Sequence, residues 1–179
     1  VGVERSRVYA TGFSNGAIFA EILACLRGDR IAGLGIVGAG MSADISTSCP
    51  WERPVPTITF FGDADPQFFW DTGIAAGTGV LGGAGTAEWL AQQNGCDPDA
   101  DVNVVAEVGA DGTGVELWRY ENCAPGSAVD FYRIVGGGHT WPGSPINFGA
   151  GLGRKTRHLS ASETMVEFFL QFTLPGGLP

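Results

Sequence analysis

The order of its segments predicts an α/β fold, with a mostly parallel sheet flanked by helices. β-prone runs alternate with segments of helical periodicity along most of the chain. The run 31–40 is apolar and glycine-bounded, as a buried parallel strand is, and 56–61 is strongly β-prone. Glycines cluster at segment ends without a collagen-like period, which suits a loop-rich scaffold.

Taken in order, residues 7–11 form a short β-prone run ending in Gly12. From Asn15 to about Arg27, the residues Ala17, Ile18, Ala20, Ile22, Leu23 and Leu26 recur at helical spacing, and Gly28 supplies a stop. Residues 31–40 read as a buried strand, and 41–53, with Ser, Thr, Cys and Pro in close succession, as a loop. The strand over 56–61 ends at Gly62-Asp63-Ala64-Asp65. A glycine-rich tract, 73–85, leads into a helix over roughly 86–94. Residues 102–108 and 115–121 flank Asp111-Gly112 and predict a hairpin. A further strand, 129–135, precedes the loop Gly136-Gly137-Gly138-His139-Thr140-Trp141-Pro142-Gly143. Ser160, with Glu163 three places on, predicts a capping box that opens the last helix. Its apolar face includes Met165, Val166, Phe168, Phe169 and Phe172. No repeat or linker interrupts this order, so 1–179 reads as a single domain.

Composition narrows the function classes. Hydrophobic residues make up 44% and charged residues 16%, which argues against disorder. A net charge of −9 argues against a nucleic-acid partner and an anionic membrane surface. No apolar stretch approaches the length of a membrane span. Cys25, Cys49, Cys96 and Cys123 permit two disulfides in three pairings, and none of their spacings suits a zinc site. An even cysteine count in a chain with one lysine points to an oxidising compartment; four buried free thiols are the alternative. The chain starts at Val1, directly before a strand-like run, and reads as a processed or truncated piece of something longer.

Gly12-Phe13-Ser14-Asn15-Gly16 matches the G-x-S-x-G turn that exposes a nucleophilic serine. Small flanking residues are required there because bulk would clash with the strand or helix. The pentapeptide alone is weak, but Ser14 falls between a predicted strand and a predicted helix, the context the motif demands. An N-cap serine in a tight turn is the plainer reading. The Asn15 N–H, at a helix N-terminus, is a candidate oxyanion donor. A serine hydroxyl needs a base, and only His139 and His158 are available. His139 follows a strand among glycines, whereas His158 adjoins the basic run Arg154-Lys155-Thr156-Arg157 and suits a solvated surface, so His139 is preferred. Asp63 and Asp65 both follow the strand ending at Phe61. The order Ser, Asp, His is that of α/β-hydrolases, and Asp65 is preferred to hold the imidazole. Phe13, Trp70 and Trp141 are candidate substrate-lining residues; Phe68 and Phe69 could serve equally in a pocket or in the core.

GFSNGA after RVYATG, then FFGDAD, NGC, YENC, YRIVGGGHTWPG and a closing ETMVEFF resemble the polyhydroxybutyrate depolymerase / feruloyl esterase family. The resemblance covers nearly the whole chain in order, and GGGHTWPG is its most specific element. It implies a secreted α/β-hydrolase with Ser14, Asp65 and His139 as catalytic triad and no metal or organic cofactor. It also implies disulfides Cys96–Cys123 and Cys25–Cys49, each contributing roughly 2–4 kcal/mol. One departure stands out. Such enzymes usually have further N-terminal strands, with a His-Gly-type segment that gives a second oxyanion N–H, and nothing of the kind precedes Ser14 here. The sheet is therefore expected to lack its N-terminal strands and to be completed by a missing segment or a partner chain.

The expected reaction is acyl transfer to Ser14 from a polyester such as polyhydroxybutyrate, or from feruloyl or acetyl esters of plant polysaccharide. A hydrolase-fold binding domain without catalysis and a peptidase on the same fold are the rival expectations.

Overall fold

The computed structural model describes residues 2–49, 51–73, 79–146 and 149–174. Its elements are β1 (Tyr9–Phe13), α1 (Asn15–Arg27), β2 (Gly33–Val37), α2 (Ala43–Ser48), β3 (Thr57–Gly62), α3 (Gly83–Gln93), β4 (Ala100–Ala106), β5 (Gly114–Tyr120), β6 (Val129–Val135) and α4 (Ala161–Phe169). The six strands form one sheet in the order β1-β2-β3-β6-β5-β4. β1, β2, β3 and β6 run parallel. β5 pairs antiparallel with β6 and β4 antiparallel with β5, so β5 alone is reversed and the sheet is mixed. The antiparallel half follows from chain economy: short connections join β4, β5 and β6, and a short connection between neighbouring strands reverses direction.

β2 and β3 are buried along their whole length. Successive residues serve opposite faces. Ile36, Phe61 and Phe131 enter a core with Ala17, Ala20 and Leu90. Their neighbours Val37, Phe60 and Tyr132 enter a second core with Met165 and Phe168 of α4. At the edge of the second core, Tyr9 stacks on Phe169 with ring centroids 4.7 Å apart. β1 is an edge strand, paired only with β2 among the described residues. On the adjoining helix, Phe19, Ile22 and Leu26 are exposed.

Several elements differ from the sequence expectation. The loop expected over 41–53 contains α2, a helix of six residues too short and polar to carry a periodicity signal. Helix α3 begins three residues earlier than expected, and part of the tract 73–85 lies outside the described residues. Val166 faces solvent, while Met165, Phe168 and Phe169 are buried. The N-cap of α4 forms as expected, with Ser160 Oγ accepting from the Glu163 N–H at 3.3 Å. Both implied disulfides are present, Cys25–Cys49 tying α1 to α2 and Cys96–Cys123 joining the ends of α3 and β5. For loops of 24 and 27 residues, each closure stabilises by roughly 3 kcal/mol.

Glu21 lies on the core face of α1 and is fully buried. Neither of its carboxyl oxygens has a hydrogen-bond partner among the described residues. Burial pushes its pKa up to about 8, offset only in part by the nearby Ser42 backbone N–H, which lies outside hydrogen-bonding geometry. The native state therefore keeps a proton that the unfolded chain releases above its ordinary pKa of 4.5. Stability is then fullest below that value and declines as pH rises toward 8, by roughly 1 kcal/mol per pH unit. Glu21→Gln should remove this contribution, so the variant gains on the wild type between pH 5 and pH 8 in urea unfolding. Parallel pH profiles for the two proteins would contradict it.

Candidate active site

The C-terminal ends of β1, β2, β3 and β6 share one edge of the sheet, because these strands are parallel and in register. Every candidate at this edge leaves the end of a strand.

Ser14 occupies the turn between β1 and α1 with φ 56° and ψ −123°, a conformation that a non-glycine residue adopts at a cost of about 1–3 kcal/mol. Its N–H donates to Val37 O at 2.9 Å, and its carbonyl accepts from Ala17 N at 2.9 Å. The strand and helix are thereby pinned on either side of the strained residue. A Cβ on Gly12 would sit 2.1 Å from the Gly16 carbonyl carbon, so this position must be glycine. The expectation of a clash at both flanks is corrected at Gly16, where a Cβ would meet nothing within 4 Å. The Asn15 N–H has no acceptor among the described residues, as befits the first turn of a helix. The Ser14 hydroxyl likewise makes no hydrogen bond among them, and the residue is only half-buried.

His139 is 3% exposed and lies in the loop after β6. Its N–H donates to Leu152 O at 2.6 Å, and the preceding Gly138 N–H donates to Arg154 O at 2.8 Å. The ring lies between Phe13, at 4.8 Å between centroids, and Phe68, stacked at 5.6 Å and 8°. Its Nδ1 is 2.7 Å from Asp65 Oδ2. The other Asp65 oxygen, Oδ1, accepts from the Gln67 and Phe68 N–H groups at 2.7 and 2.9 Å. A carboxylate acceptor at this distance selects the tautomer with the proton on Nδ1, which in the neutral ring leaves the lone pair on Nε2.

Asp63 is committed elsewhere. Its Oδ2 lies 2.8 Å from an Arg133 guanidinium nitrogen, and its Oδ1 accepts from the Gly136 N–H at 2.7 Å. The same guanidinium lies 4.8 Å over the Trp70 ring. His158 also stands apart, with Nε2 3.0 Å from Thr113 O and 3.5 Å from Asp111 Oδ1. Of the aromatic candidates, Phe13 touches the imidazole. Trp141 is half-buried, with its indole N–H donating to Ser162 Oγ at 3.1 Å. Trp70 packs edge-on against Phe61, Trp118 and Phe131, so its ring serves the core.

Phe68, which the sequence left open between pocket and core, closes one face of the imidazole. One residue, Gly38, escaped the sequence altogether. Gly38, just past β2, has φ +59°, and a Cβ there would lie 2.8 Å from Phe13 Cε2 and 3.4 Å from His139 Nδ1. Its signal was available in the motif Val37-Gly38 at the end of a buried strand.

The sheet and flanking helices define an α/β protein with a polar constellation at its parallel edge. No family model matches the chain. It is 30% identical over 180 residues to "Putative esterase NocK" of Nocardia uniformis subsp. tsuyamanensis, an alignment covering 94% of this chain and 52% of that protein. It is 28% identical over 144 residues to "Feruloyl esterase B" of Piromyces equi, covering 76% of this chain and 25% of that protein. The chain thus spans about half the length of the first relative and a quarter of the second.

The packing around the imidazole makes a direct prediction. Gly38→Ala should displace Phe13 and His139 and strain the backbone, lowering stability by about 1–3 kcal/mol in denaturant unfolding. A substitution at Gly16 should cost far less, since nothing surrounds it. Equal losses at the two positions would contradict the packing described.

Proposed function

We propose that the chain is the catalytic part of a serine esterase that cleaves carboxylic esters through an acyl-enzyme on Ser14. The observation that carries this reading is the buried Asp65–His139 pair at the sheet edge from which the strained Ser14 turn also leaves. Similarity to two esterase-named proteins supports the reaction class. In this mechanism His139 Nε2 removes the Ser14 proton as the hydroxyl oxygen attacks the ester carbonyl. Asp65 stabilises the resulting imidazolium. The Asn15 N–H donates to the oxyanion as it forms. The imidazolium then protonates the departing alcohol, and water repeats the sequence to release the acid. Ser14 and His139 close their hydrogen bond only as substrate arrives, as catalytic contacts often do.

In this reading Phe13, beside the imidazole, and Trp141, in the loop after it, meet the acyl or alcohol part of the substrate. Feruloyl and acetyl esters of plant polysaccharide, or a polyhydroxyalkanoate, are the substrate classes this reading takes first. The feruloyl esterase relative supports the aryl ester among them. Two disulfides support a secreted protein. No helix among the described residues is long and apolar enough to cross a membrane.

The test is covalent labelling with a fluorophosphonate, followed by mass mapping and ester turnover. Labelling at Ser14, abolished in Ser14→Ala, with turnover falling on the order of 10⁴–10⁶-fold in Ser14→Ala and His139→Ala, is the expected result. A folded protein that stays unlabelled, or His139→Ala at near-native turnover, would overturn the reading.

A further inference from the structure

Three of the chain's ten basic residues, Arg154, Lys155 and Arg157, fall within four positions of a protein whose net charge is −9. The segment is not a loose surface run. The Arg154 carbonyl receives the Gly138 N–H at 2.8 Å, and the Thr156 carbonyl receives the Gly143 N–H at 3.0 Å. It is therefore fixed alongside the loop that carries His139 and Trp141. Arg154 packs over Gly112 of the hairpin. Lys155 and Arg157 instead line a cavity of about 470 Å³ whose walls include Ser144, Ser160 and Glu163. That volume lies within the range of small-molecule sites.

The chemistry of the lining is specific. The Lys155 ammonium is held by the Ser144 and Ile146 carbonyls at 2.5 and 2.8 Å, which leaves one of its three donors unused. The Arg157 guanidinium makes no ion pair or hydrogen bond among the described residues. Glu163 forms no ion pair either, so its carboxylate stands in the wall as an acceptor. The first turn of α4 also faces this wall, through Ser160 and Glu163, and favours a negative group.

A planar, unpaired guanidinium matches a carboxylate bidentately. The Glu163 carboxylate would repel a dianionic phosphate but accept hydrogen bonds from hydroxyl groups. The two serines can donate or accept. We propose that this cavity binds a carboxylate-bearing sugar, a uronic acid residue. Arg157 takes the carboxylate, and Lys155, Ser144, Ser160 and Glu163 take the ring hydroxyls. Gly143 and Ser144 of the cavity wall lie two and three residues after Trp141, in the chain segment that leaves the His139 loop. This site is distinct from the Ser14 chemistry and needs none of it.

The experiment is a titration of the protein with D-glucuronate, D-glucose and inorganic phosphate, read by calorimetry and by amide shifts at Ser144 and Leu159. Glucuronate is expected to bind in the millimolar range, about tenfold or more tighter than glucose and tighter than phosphate, with Arg157→Gln weakening it about tenfold. Binding no tighter than that of glucose would overturn the proposal. Tighter binding of phosphate, or an unchanged affinity in Arg157→Gln, would do the same. Titration requires no turnover, so this outcome is separable from that of the esterase reading.

Discussion

The contact between His139 Nδ1 and Asp65 Oδ2 takes place where neither side chain reaches water, with the imidazole 4% exposed and the carboxylate fully covered. A carboxylate in such a place is costly unless its lone pairs are satisfied. Here the turn after β3 satisfies one oxygen with two backbone N–H groups, and the imidazole satisfies the other. The same three hydrogen bonds hold the ring's orientation and its tautomer. Much of the local architecture serves them. The Gly136–Gly138 run lets the loop fold back onto residues 152–154, and Gly38 leaves room for Phe13 against the ring.

The sheet makes that contact possible from distant parts of the sequence. Parallel strands deliver their C-terminal ends to one edge, the position at which open α/β sheets bind ligands. β1 ends in Ser14, β3 in the Asp65 turn and β6 in the His139 loop. Burial of both sheet faces fixes the register, because a slip of one residue would send Phe60 and Phe61 each into the wrong core. Stability and site geometry thus share one origin. Glu21 is the exception, since its unpartnered carboxyl works against the helix that carries Ser14 at its start.

The parts of this arrangement legible in the sequence were those with a local signature. Helix α1 and strand β6 fall where periodicity and β-propensity place them. Asp65 meets the imidazole, whereas Asp63 is taken by Arg133 and the Gly136 N–H. What escaped depends on contacts between elements. The hairpin of β4 and β5 was legible at Asp111-Gly112, but the antiparallel pairing of β5 with β6 was not, and α2 is too short to show a period. Trp70 and Phe68 lie two residues apart in one loop, yet one joins the core aromatics and the other covers the imidazole. The burial of Glu21 also had a visible sign, since it shares a helical face with Ala17, Ala24 and Cys25.

The central claim is that Asp65 fixes the imidazole of His139 with its proton on Nδ1 and a lone pair on Nε2. Nitrogen-15 NMR of the neutral histidine measures this directly. A protonated Nδ1 signal and an unprotonated Nε2 signal are expected for His139, with that preference lost in Asp65→Asn. A proton on Nε2 in the wild type, or an unchanged tautomer in Asp65→Asn, would contradict it.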